Sequence, residues 1–157
     1  MGSVCGVRAA PAVVAGALAL VAAGCGGGGE APSRPALVER LAALCEETRI
    51  AVEELGEPKD TGAAVFRPWA AIGRRFVADV RRLGGTSARQ REQLQSLAGY
   101  YEGFYDSLAL SYELHEGGQQ VAIKMTLERA YALLDSADAL AIRMGATECA
   151  VRPFADT

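Results

Sequence analysis

The chain has 157 residues, half of them apolar, 22% charged and only 6% aromatic, with 16 Lys and Arg against 19 Asp and Glu for a net charge of -3. That length admits one core and hardly a second. The apolar share excludes a disordered chain, and the acidic balance disfavours nucleic acid as a partner.

Residues 1–24 hold one base, Arg8, and no acid, and an apolar run extends from Ala9 to Gly24. This is the layout of a signal peptide. Broken by Pro11 and Gly16, the run is shorter than the roughly 20 residues that a membrane-spanning helix needs. It closes on Val21-Ala22-Ala23-Gly24-Cys25, which resembles the lipobox of bacterial lipoproteins, with Ala22 where Leu is commoner. The resemblance implies cleavage after residue 24, a diacylglyceryl thioether on Cys25, and a protein lipid-anchored at the outer face of the cytoplasmic membrane or in the periplasm. An ordinary secretory peptide and an uncleaved anchor are the alternatives.

Residues 25–35 read as a tether, since Gly26 to Pro35 offers only Ala31 as an apolar group and contributes nothing to a core. Such a stretch spans about 15 to 20 Å on average. Residues 36–157 are assigned to the folded domain. Loss of residues 1–24 removes Arg8 alone, leaving 15 bases, 19 acids and a charge of −4.

Four amphipathic helices are predicted. The first follows Ser33, with Pro35 in its opening turn, and reaches Leu55 before Gly56 stops it. Its apolar positions Leu37, Leu41, Leu44, Thr48, Val52 and Leu55 step by three and four. The second starts between Gly62 and Pro68 and ends before Gly84-Gly85, with Trp69, Ile72, Phe76, Val80 and Leu83 as its stripe. The third opens on Ser87 and Gln90, which fit a capping box, and runs from Ala88 to about Glu116 with Leu94, Leu97, Tyr101, Phe104, Leu108, Tyr112 and His115 facing inward. The fourth covers Gln119 to Met144, its stripe running Ile123, Leu127, Ala130, Leu134, Ala137, Ala141 and Met144, with Gly145 as its cap. Long helices on short turns, each with one apolar stripe, form an antiparallel up-down-up-down four-helix bundle.

Cys5 leaves with the signal segment and Cys25 takes lipid, so Cys45 and Cys149 remain as a pair in an oxidising compartment. In the bundle the last helix returns to the end where the first begins, which puts Cys45 within reach of a tail that folds back. A disulfide stapling first helix to last is expected. Two free thiols or a metal pair are the alternatives, and one His with no CxxC cannot complete a metal site. The strings LAALCEET and LAIRMGATECA resemble a group of small exported helical proteins of GC-rich bacteria. Over residues 36 to 151 this implies the same disulfide-closed helical domain and no assigned activity.

Candidate sites are sparse. A cytochrome-like bundle would have to use His115 with Met125 or Met144, and covalent haem needs a CxxCH that the chain lacks. Asp135 and Asp138 would hold a cation weakly, and two carboxylates on a solvated face are the commoner arrangement. No Gly-x-Ser-x-Gly elbow frames a hydrolase; no catalytic constellation, metal site or cofactor is assigned. Gly99 and Gly103 each cost about 1 kcal/mol in a helix relative to Ala. They admit either a closely packed neighbouring helix or a ligand groove flanked by Tyr100 and Tyr105.

Between Arg67 and Arg91 seven Arg face one acid, Asp79, and the turn bearing Arg81, Arg82, Arg89 and Arg91 would lie at the tether end, toward anionic headgroups. Glu53, Glu54, Glu57, Asp60, Glu113 and Glu116 gather at the opposite end, where a protein partner would meet the bundle. Ion pairing between helices is the plainer use of the same charges. The sequence thus predicts a lipid-anchored, non-enzymatic binding or scaffolding module, with a carrier of a small apolar or aromatic ligand as the alternative.

Overall fold

The computed structural model describes residues 33–58 and 62–153. The signal segment, Cys5, the lipidation candidate Cys25 and Asp60 lie outside the described residues. Four helices follow in order: α1 (Arg34–Glu53), α2 (Phe66–Arg82), α3 (Ala88–Glu116) and α4 (Gln120–Met144). Short 3-10 turns at Gly62–Val65 and Thr147–Ala150 precede α2 and follow α4. Neighbours run antiparallel, and among the described residues there is no strand.

The helix ends obey local chemistry. Arg34 and Pro35, assigned above to the tether, form the first turn of α1, where proline's missing N–H leaves no bond unmade. Ser87 caps α3 by accepting from the Gln90 N–H at 3.1 Å, and the Gln90 side chain accepts from the Ser87 N–H in return. Gly145 takes φ +100°, a left-handed conformation that glycine adopts without a Cβ penalty. Its N–H and that of Ala146 donate to the Ala141 carbonyl at 3.0 Å and close α4.

The core joins Leu37, Leu41 and Cys45 of α1 to Val77 and Val80 of α2, Leu94 and Leu97 of α3, and Ala137 and Ala141 of α4. Several stripe assignments shift by one position. In α2 the fully covered residues are Ala70, Gly73, Phe76, Val77 and Val80, while Trp69 and Ile72 are half-buried. At the far end of α3, Ser111 is buried in place of Tyr112, its hydroxyl donating to the Ser107 carbonyl at 2.9 Å, and His115 is exposed. Leu55 is exposed beyond the end of α1.

The pairings are unequal. α3 packs along both α2 and α4, whereas α1 packs along α2 and against the turn after α4 but not along α4 itself. The seam between first and last helix is therefore open over much of its length. At its base Cys45 and Cys149 stand at disulfide distance, with Cα atoms 4.9 Å apart.

Candidate functional site: an aromatic cleft on the open seam

The open seam forms a cleft of about 280 Å³ to which all four helices and the residues after α4 contribute. α1 supplies Cys45, Thr48, Arg49 and Val52. Phe66, Trp69 and Phe76 come from α2, and Tyr101, Phe104 and Tyr105 from α3. Tyr131, Leu134 and Asp138 of α4 complete the wall with Val151, Arg152 and Pro153 of the tail. No described helix is long and apolar enough to cross a membrane.

The rings brace one another. Phe76 meets Tyr101 edge-on at 4.9 Å between centroids, Tyr101 stacks with Tyr105 at 6.5 Å, and Phe104 meets Tyr105 at 4.9 Å. Such pairs contribute about 0.5–1.5 kcal/mol each beyond the area they bury. Tyr101 also donates its hydroxyl to the Cys149 carbonyl at 3.2 Å, fastening α3 to the closing turn. Burial pushes both the Tyr101 and Tyr105 phenols above their ordinary value, and the negative charge of Asp138 adds to the effect at Tyr101. Both stay neutral.

Gly73 explains how the Tyr105 ring reaches this position. A Cβ at Gly73 would stand 2.0 Å from the ring's Cγ, so only glycine lets Tyr105 lie flat on α2. Gly73, like Gly99 and Gly103, interrupts a helix. Of the proposed groove residues Gly99, Gly103, Tyr100 and Tyr105, only Tyr105 lines the cleft. Gly99 is exposed with nothing within 4 Å of a Cβ position, and Gly103 lies under Leu133 of α4, 2.9 Å from where its Cβ would be. Close helix approach, not a groove, accounts for Gly103.

Charge at the cleft is arranged in two clusters. Arg49 pairs with Glu46 at 2.6 Å and with Glu53 at 2.5 Å along α1, which holds the Glu46 carboxyl below the usual range. Arg152 pairs with Asp135 and, at 3.2 Å, with Asp138 Oδ2. Asp138 is not on a solvated face, as its spacing to Asp135 suggested: only 9% of it is exposed. Burial raises its pKa above the ordinary carboxylate value while the Arg152 hydrogen bond pulls it down. Its other oxygen, Oδ1, is buried and has no hydrogen-bond partner among the described residues. The signal was present in the sequence, because Asp138 falls four after Leu134 and three before Ala141, within the apolar stripe of α4.

The remaining candidates are dispersed. His115 and Met125 are exposed, with Met125 66% exposed, and Met144 is buried at the opposite end. Among the described residues no three His, Cys, Asp or Glu gather as a metal site. Arg81, Arg82, Arg89 and Arg91 are all exposed at the turn between α2 and α3. Arg81 binds Glu102 through both nitrogens at 2.7 and 3.2 Å, Arg82 pairs with Asp79 at 2.6 Å, and Arg91 donates to the Gly85 carbonyl at 3.2 Å. Three of the four thus have partners within the bundle. Compared with known protein families, curated proteins and solved structures, the chain matches none.

Proposed function

We propose that this chain is a lipid-anchored, extracytoplasmic, non-enzymatic binding protein whose aromatic cleft holds a small apolar or aromatic molecule. The observation that carries this reading is the cleft of about 280 Å³ walled by Phe66, Trp69, Phe76, Tyr101, Phe104 and Tyr105. Ligand sites in helix bundles form between facing helices, and such a volume is near the lower end of the range for small molecules. The lipid anchor draws on the Val21 to Cys25 segment, and the exposed Arg81, Arg82, Arg89 and Arg91 are charges that anionic headgroups would attract.

A second reading, a scaffold docking a protein at the membrane-distal end, is favoured by Val121 and Met125. They are 77% and 66% exposed and four residues apart on α4, close in sequence to Glu113 and Glu116. Native mass spectrometry of the intact protein, extracted gently from the producing cell's membranes without reductant, separates the two. A retained small-molecule mass supports the carrier. An empty chain that co-purifies with a protein partner supports the scaffold and defeats the carrier.

A further inference from the structure

We propose that the molecule held in the cleft is an organic monocation, an ammonium on an aromatic or aliphatic body, and that Asp138 receives its charge. This rests on reading the cleft as a ligand site and names the chemistry that the site selects.

The first support is an unmet valence. Buried polar atoms in folded proteins are almost always hydrogen-bonded, and one left alone marks a place where a partner belongs. Asp138 is nine-tenths buried, lines the cleft, and leaves Oδ1 without a partner among the described residues. A carboxylate has no proton to give and can only accept, so the missing partner is a donor.

Charge narrows the choice of donor. The Arg152 guanidinium is shared between Asp135 and Asp138, one positive charge for two negative. Arg49 on the α1 wall is likewise shared between Glu46 and Glu53. Each cluster therefore keeps one negative charge in excess. A neutral hydroxyl or amide would satisfy Oδ1 but leave that excess uncompensated, and an anion would add to it. An ammonium answers both demands, and charge-assisted hydrogen bonds are the strong ones.

The rings add a third argument. An ammonium is attracted to the faces of Trp, Tyr and Phe, most strongly where water is excluded. Tyr101 lines the same cleft as Asp138, and Tyr131 stands on Asp138's own helix, half-exposed and part of the cleft wall. Of the carboxylates that line the cleft, Glu57, Asp138 and Glu148, Asp138 is the buried one with an oxygen left unbonded, which matches a molecule with one cationic head and an apolar body.

The test uses the intact protein in nanodiscs of zwitterionic phosphatidylcholine, with empty nanodiscs as the blank. Calorimetric titration compares three probes of one shape: phenethylamine, phenethyl alcohol and hydrocinnamate. Wild type is expected to bind the amine about tenfold more tightly than the alcohol, and the acid more weakly still. Asp138→Asn is expected to bring the amine to within about twofold of the alcohol while leaving the alcohol unchanged. Arg152→Gln, an alteration at the half-exposed edge, releases Asp138 from its guanidinium and is expected to raise amine affinity about threefold or more. That second variant keeps the idea exposed should Asp138→Asn not fold. Alcohol or acid bound as tightly as the amine by wild type overturns the cation assignment and leaves the cleft standing as a ligand site. An amine preference that survives Asp138→Asn, or an amine affinity that does not rise in Arg152→Gln, overturns the role of Asp138. Failure of all three probes to bind overturns both this assignment and the cleft reading beneath it.

Discussion

At the scale of single residues, three helical glycines in one chain have opposite meanings. Gly→Ala in a helix interior ordinarily stabilises by about 0.5–1 kcal/mol, because alanine has less backbone freedom to lose. Gly99 is exposed with open space beyond it, so Gly99→Ala is expected to raise the melting temperature by that ordinary increment. Gly73→Ala would drive a methyl to 2.0 Å from the Tyr105 ring, which Tyr101 and Phe104 brace from two sides. Overpacking of this kind costs about 1–3 kcal/mol, so melting should move downward. The pair is read in one set of thermal scans, and equal signs would contradict the close packing of Gly73 against Tyr105.

Asp138 sets a pH dependence opposite to that of most carboxylates. Its pKa in the fold is raised, burial outweighing the Arg152 hydrogen bond. Below the ordinary carboxylate range both folded and unfolded chains hold the proton, and the group contributes nothing. As pH rises the unfolded chain releases its proton first, so stability falls until the folded pKa is passed and the penalty becomes constant. Wild type is therefore expected to lose melting temperature relative to Asp138→Asn as pH rises from the ordinary carboxylate range toward the raised folded pKa. A gap that does not widen with pH would mean that Arg152 cancels the burial cost.

At the scale of the element, helix punctuation is local chemistry and was legible. Ser87 with Gln90, Pro35 and Gly145 each act within a few residues of themselves, and each appears where the sequence put it. Ser87→Ala removes one half of the capping box and is expected to cost about 1 kcal/mol, read as a shift of the urea midpoint at constant slope. Which face turns inward is a different matter, because neighbours decide it. α2 packs against both α1 and α3, so its covered face widens to Ala70, Gly73 and Val77 and leaves Trp69 at the cleft wall. A single stripe read along α2 could not register two partners. Asp138 shows a related limit: its spacing to Asp135 suggests a solvated pair, while its spacing to Leu134 and Ala141 places it inside.

At the scale of the molecule, the four-helix bundle and the proximity of Cys45 to Cys149 were legible from stripes and turns, whereas the open seam was not. Periodicity tells which faces are apolar but not that α1 leans on α2 and the closing turn while standing away from α4. That arrangement gives the cysteine pair two separable effects. Closing a loop with a sequence separation of 104 stabilises the fold by up to about 4–5 kcal/mol through the unfolded chain, in the loop-entropy model. It also pins α1 and the tail as the two lips of the cleft. The central pairings of α3 with α2 and α4 do not depend on it. Reduction, or Cys45→Ala with Cys149→Ala, is therefore expected to do more than lower the urea midpoint. Hydrogen exchange should quicken first in α1 and in residues 147–153, with α3 still protected, because partial opening follows the weakest pairing. Small-molecule retention should be lost in the same conditions. A uniform rise in exchange across all four helices would instead leave the bond only its effect on the unfolded chain, and the cleft would then owe its shape to the packed rings of Phe76, Tyr101 and Tyr105 alone.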